Sequence, residues 1–163
     1  MFGKVPAKVL YITVAVFVAI VLAVAVAMFL KKRAHEGFEN NGKARTVLYW
    51  AAWCPYCTRT LPAWCKLRAV IMNETKCKLT DVEQSKLESA ISGFNVDMIR
   101  QLRDKVVIQE YESDENKALF SEQGIKSFPT IVLHTADGKK IKFEGEEKRT
   151  LEGFVAFLKK HLL

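Results

Sequence analysis

Val47-Leu48-Tyr49-Trp50-Ala51-Ala52-Trp53-Cys54-Pro55-Tyr56-Cys57 is the stretch that decides the fold of this 163-residue chain. The apolar run up to Trp53 reads as a buried strand, and the sequence after Pro55 reads as a helix. That order places Cys54 at a helix N-terminus, where unpaired N–H groups and the helix dipole favour a thiolate over a thiol. A thiolate is the attacking group of thiol–disulfide exchange, and Cys57 follows three positions later as a resolving thiol. Two cysteines so spaced can open and close one disulfide with little backbone movement. The layout implies a redox site.

A metal half-site or a structural disulfide is the competing account of the pair. Zinc wants a second closely spaced Cys or His pair. Cys65 and Cys77 are well separated, and His35, His134 and His161 are scattered. Neither a metal nor a cofactor is expected. A domain that keeps the fold without turnover is the other alternative.

Trp53-Cys54-Pro55-Tyr56-Cys57 with Leu61-Pro62, and the later Gly124-Ile125-Lys126-Ser127-Phe128-Pro129-Thr130, resembles the thioredoxin and protein disulfide isomerase family over residues 46–163. The resemblance implies Cys54 and Cys57 as the catalytic pair and redox disulfide. It implies a helix-kinking proline at Pro62 and a cis proline at Pro129 lying against the cysteines. It also implies Trp53, Pro55, Tyr56, Phe128 and Pro129 as the residues that support the site and hold an extended substrate segment. The implied partners are protein thiol or disulfide substrates and a redox partner, whether a reductase, an oxidase or glutathione.

Three departures from that family matter. Its buried acid, six positions before the first cysteine, is Leu48 here. Glu110 falls where thioredoxins usually carry a lysine, so it is either a relocated proton acceptor for the resolving thiol or a surface acid at a strand end. Pro55-Tyr56 matches glutaredoxins, and a Tyr in the place of the isomerases' His argues against a strongly oxidising poise. Against a glutathione-linked enzyme stand Trp53, Pro62, Pro129-Thr130 and the lack of a Gly-Gly-x-x-Asp segment after the hairpin. A third account is a non-enzymatic module that binds extended peptides beside Pro129.

The remainder expected is a minimal thioredoxin fold, α/β, with a four-stranded mixed sheet and flanking helices. Strands are expected over 46–51, 105–111, 129–134 and 139–144, the last two joined as a hairpin across Ala136-Asp137-Gly138. The active-site helix should run from Pro55 to about Met72. Asp114 should cap a short helix closed at Gly124, and Thr150 should cap the last helix, with Leu151, Phe154, Val155, Leu158 and Leu162 on one face. Residues 73–104 exceed what the family needs and read as an inserted helical hairpin. Its first helix follows a capping box at Thr80-Asp81-Val82-Glu83 and stops at Gly93, and its second is capped by Asn95. It is read either as a lid over the sheet's own apolar surface or as a partner site. Cys65 and Cys77 either form a second disulfide or leave Cys65 buried and free.

Ahead of the domain, Val9 to Leu30 carries no charge and is long enough, at about 1.5 Å per residue, to span a hydrocarbon core of about 30 Å as a helix. It is expected to be an uncleaved transmembrane anchor in contact with lipid, after a tail of residues 1–8. A cleaved signal peptide is the alternative. The net charge of +7 is concentrated here: Lys4, Lys8, Lys31, Lys32 and Arg33 have no acidic counterpart, and the rest of the chain sets 20 basic against 18 acidic residues. No nucleic-acid surface is implied. Residues 31–45 form a basic juxtamembrane segment and linker. The positive-inside rule puts the domain in the cytosol, while four cysteines argue more weakly for a lumenal or extracytoplasmic side.

Overall fold

The computed structural model describes residues 16–28, 42–145 and 148–163. The chain divides into two compact units, residues 1–39 and 40–163. In the first, residues 16–28 form helix α1, whose side chains are all exposed. Among the described residues no helix is long and apolar enough to cross a membrane. The expected tail 1–8, the flanks 9–15 and 29–30 of the span, and residues 31–41 of the linker lie outside the described residues.

The second unit is built on β1 (Ala44–Trp50), which is buried along all but its last residue. It lies inside a four-stranded sheet of order β2-β1-β3-β4. β2 (Val106–Glu112) runs parallel to β1, whereas β3 (Thr130–His134) and β4 (Lys140–Lys142) add antiparallel pairs. Successive side chains of a strand point to opposite faces. Leu48 accordingly joins the core with Trp64, Leu67, Ile131 and Phe154, while Val47 and Tyr49 pack with Phe120 on the other side.

Helix α2 (Pro55–Met72) buries Cys57, Leu61, Trp64, Leu67 and Ile71, the 3–4 spacing of one helical face, against the sheet. Pro62 lies inside it, and Asn73 ends it in the left-handed region at φ 58°. Trp64 is fully buried and meets Phe154 edge-on, at 5.7 Å between ring centroids. Helix α6 (Leu151–Leu162) begins at Thr150, whose Oγ1 accepts the Gly153 N–H at 3.2 Å, and it buries Leu151, Phe154, Val155 and Leu158.

Between α2 and β2 stand α3 (Gln84–Ser92) and α4 (Val96–Lys105). Asn95 caps α4, its Oδ1 accepting from the Asp97 and Met98 N–H groups at 2.9 and 3.0 Å. The expected capping box at Thr80 does not form. Thr80 is used in a tight turn, its carbonyl accepting the Val82 N–H at 2.9 Å, and α3 starts after Glu83 with no side-chain cap. Cys65 of α2 and Cys77 are joined by a disulfide, which pins the start of the insertion to the active-site helix.

Asp114 does not cap the short helix α5 (Lys117–Glu122) either, because that helix begins after Asn116. Glu112 has taken over the turn: its Oε2 accepts the Asp114 and Glu115 N–H groups at 2.6 and 3.1 Å. Past α5, Gly124 adopts φ 65°, and the Ile125 N–H returns to the Phe120 carbonyl at 2.9 Å, closing the helix as a glycine stop does. The hairpin turn is where the sequence put it, with Thr135 and Lys139 paired and Gly138 at φ 86°.

Candidate active site

Cys54 occupies the N-cap of α2 in extended backbone conformation, and Pro55 supplies the first helical residue. The Cys54 N–H donates to the Ala51 carbonyl at 3.1 Å, and the Cys54 carbonyl accepts the Cys57 and Thr58 N–H groups at 3.0 and 3.2 Å. One helical turn thus sets both thiols in one buried cluster. They pack with Ala51, Trp50 and Phe128, and both are free thiols in this structure. The peptide bond between Phe128 and Pro129 is cis, and the Phe128 carbonyl accepts from Cys54 Sγ at 3.6 Å. Residues far apart in sequence therefore meet at one sulfur.

Both thiols are buried, Cys54 at 5% exposure and Cys57 deeper, and they differ in setting. Cys57 is 1% exposed, and burial, reinforced by the neighbouring Cys54, pushes its thiol up to about 12; the Ala51 backbone and Arg149 pull the other way. A thiol so held is protonated and unreactive at neutral pH. Alkylation by iodoacetamide near pH 7.5 should therefore mark Cys54 and spare Cys57, and Cys57 labelling should rise about tenfold per pH unit as thiolate accumulates towards pH 12. Peptide mass mapping checks this. Equal labelling of both sulfurs at pH 7.5 would contradict the burial argument.

Around the thiols, Trp53 and Tyr56 stand 66% and 55% exposed and make an apolar rim. Trp53 meets Phe128 edge-on at 5.6 Å, and the Arg59 guanidinium lies 5.5 Å from the centre of the Tyr56 ring. Pro55 is exposed between the cysteines, and Pro129 is buried.

Glu110 is placed elsewhere. It faces Leu48 across the β1–β2 ladder, and its Oε1 accepts from Arg68 Nη1 at 2.6 Å while its Oε2 accepts from Trp64 Nε1 at 3.4 Å. Burial raises its pKa, outweighing the opposing pull of Arg68 and Trp64. Trp64 lies seven residues beyond Cys57 on the same helix, roughly 10 Å along the axis. The cysteines are brought together with Trp53, Phe128 and Pro129, and Glu110 is held with Arg68 and Trp64.

Two further residues belong to the site. Glu112 Oε1 accepts the Ala52 N–H at 3.1 Å, so one carboxylate ties the loop before Trp53-Cys54 to the turn after β2. Desolvation pushes its pKa up, but the Ala52, Glu115 and Asp114 N–H groups together hold it below the usual carboxylate range. Arg149 Nη2 donates to the Pro129 carbonyl at 3.4 Å and bears on Cys57. An acid closing a strand before Ser-Asp-Glu-Asn was a faint sequence signal for Glu112; nothing near Arg149 announced it. Among the described residues no group of three or more His, Cys, Asp or Glu could hold a metal ion.

A strand, a helix opening on two thiols and a cis proline close to the first of them make up the core of a thioredoxin-like fold. Residues 32–160 match the thioredoxin-like domain family, and the chain belongs to it. The structure is similar to the first two thioredoxin domains of Naumovozyma dairenensis Eps1p, at TM-score 0.51 and 20% identity over 74% of this chain and 35% of that one. It is similar to human ERp44 at TM-score 0.50 and 16% identity, over 74% of this chain and 28% of that one. It also resembles the first thioredoxin domain of mouse protein disulfide-isomerase A4, at TM-score 0.50 and 16% identity over 79% and 70% of the two chains. These likenesses concern the fold. Among curated proteins none matches the sequence.

Proposed function

We propose that this chain is a membrane-tethered dithiol–disulfide oxidoreductase acting on protein substrates through Cys54 and Cys57. The observation that carries the proposal is the asymmetry of the pair: Cys54 at a helix N-terminus against the Phe128-Pro129 bond, and Cys57 inside the first turn, more deeply buried and with its proton held on. A substrate segment lies extended along Phe128-Pro129, with Trp53 and Tyr56 flanking it. In the reductive direction Cys54 thiolate attacks one sulfur of a substrate disulfide. The other substrate sulfur leaves as a thiolate and takes a proton. Cys57 then gives up its proton and attacks Cys54 Sγ, releasing the second substrate thiol and closing Cys54–Cys57. The pair has given two electrons to the substrate. The oxidative direction runs the same steps backwards, and a reductase, oxidase or glutathione resets the pair.

Insulin reduction separates the neighbouring accounts. Full-length chain with dithiothreitol should precipitate insulin B chain, and glutathione should support this poorly. Equal turnover with glutathione alone would favour the glutaredoxin-like reading drawn from Pro55-Tyr56, and no turnover with either would favour a peptide-binding module.

The helix containing residues 16–28 supports an anchor, since Val16, Phe17 and Ile20 are exposed and apolar within an uncharged run. For orientation, the charge rule favours the cytosol. The Cys65–Cys77 bond adds to the argument for the oxidising side, where structural disulfides persist, and we place the domain there. Protease added outside sealed right-side-out vesicles should then digest the domain of a plasma-membrane form.

Glu110 is assigned a supporting part, because Arg68 and Trp64 occupy its oxygens. Glu110→Gln should lower stability by about 1–3 kcal/mol, through weaker pairing of a largely buried Arg68, and change the rate of resolution by less than about twofold. A tenfold slower resolution near neutral pH would restore it as the proton acceptor for Cys57.

A further inference from the structure

The two inserted helices do different work. α4 buries Ile99 and Leu102 in the main core, as a covering helix does. α3 fully buries Leu87 alone, against Cys65 and Ala69 of α2, while Ala90 and Ile91 are half-buried beside it. Between α3, α2 and the start of α6 runs an open groove of about 870 Å³. Pro62 and Ala63 line it on α2, and Arg59, Lys66 and Lys86 bring positive charge to it. Its acids are Glu83, which pairs with Lys86 at 3.3 Å, and Glu152. Arg149 also lines it, leaving the groove with more positive than negative side chains.

Two residues that line the groove also touch the thiol site. Arg59 lies over the Tyr56 ring between the cysteines, and Arg149 donates to the Pro129 carbonyl. Lys66 follows Arg59 about two turns along α2, and Lys86 lines the groove from α3.

We propose that the α2–α3–α6 groove receives an acidic segment flanking the reactive cysteine of a protein substrate, making it a specificity site for the exchange reaction. The inference rests on the exchange reading above and adds to it. Charge complementarity selects the partner: opposite charges along the approach speed encounter, and like charges oppose it. The insertion supplies one wall of the groove, so the selectivity belongs to this chain's added helices rather than to the common fold.

The test uses full-length Cys57→Ser chain in neutral detergent and three peptides sharing one cysteine, each joined through a disulfide to thionitrobenzoate. They differ only in flanks of Asp/Glu, Gln/Asn or Lys. Attack by Cys54 on the peptide sulfur releases thionitrobenzoate and leaves the peptide on Cys54. Each rate is divided by that with dithiothreitol, so the intrinsic repulsion between acidic flanks and a thiolate cancels. The acidic peptide should react about fivefold to tenfold faster than the neutral one and the Lys peptide slower, and the ratio should shrink towards one in high salt. Lys66→Glu/Lys86→Glu should abolish or invert the ratio. Lys142→Glu on β4, a charge change outside the groove, should preserve it. A ratio near one in the parent chain, or one that survives the double substitution, overturns the proposal while leaving exchange itself intact. If no peptide reacts, the exchange reading falls and takes this one with it.

Discussion

Cys57→Ser should trap substrates as mixed disulfides, visible as adducts on a non-reducing gel, and Cys54→Ser should trap almost none. With Cys54 intact, the first attack proceeds from the helix N-terminus against the Phe128-Pro129 bond. Without the Cys57 sulfur, the adduct has no internal thiol to displace it. In the reverse variant the remaining sulfur is 1% exposed, and burial keeps it a thiol. A thiol with a pKa of about 12 carries roughly one thiolate in 10⁴ near pH 8. Losing the Cys54 neighbour lowers that pKa somewhat, but burial, the largest cause, stays. The difference in trapping should exceed about tenfold. Similar adduct yields from both variants would remove the assignment of Cys54 as the attacking group.

The second large effect is on stability. Cys65 and Cys77 close a loop with a sequence separation of 12, joining the buried face of α2 to the segment that leads into α3. On the chain-entropy account a bridge of this span stabilises the fold by about 3 kcal/mol, or roughly 150-fold in the folding constant. Cys65→Ala/Cys77→Ala should lower the urea midpoint accordingly. Protection of α3 from hydrogen exchange should fall first, because Leu87 packs on Cys65 and Ala69. An unchanged midpoint would mean that the bridge contributes nothing to the folded chain.

Much of the site was legible because the chemistry is local. Cys-Pro-Tyr-Cys declares its own helix start, and the whole of α2 followed from it. Asn95 and Thr150 were read correctly as caps, since each precedes a helix whose first amides have no stronger acceptor. Thr80 and Asp114 were misread for the opposite reason. A tight turn engages the Thr80 carbonyl, and the Glu112 carboxylate claims the amides that Asp114 was expected to organise. Capping propensity names candidates, and competition among neighbouring acceptors decides between them.

Features built from distant segments stayed hidden. Glu112 reaches Ala52, and Arg149 reaches Pro129, only once the strands are in register. The sequence offered both outcomes for Cys65 and Cys77, since pairing depends on where the insertion returns to α2. Glu110 was readable as an acid near the end of a strand expected to be buried and central, but β2 is an edge strand, and the partners Arg68 and Trp64 reach Glu110 from α2 only once the helix is docked on the sheet. The basic groove likewise needs three elements at once.

Equilibration of the full-length chain in graded glutathione buffers, followed by acid quench, alkylation and mass mapping, tests the central claim most directly. Cys54–Cys57 should open and close reversibly as a two-electron couple with a potential on the order of −180 to −230 mV, as expected without a His between the cysteines, while Cys65–Cys77 stays closed throughout. A Cys54–Cys57 pair that remains in one state across the series, or a potential below about −260 mV, would contradict the account.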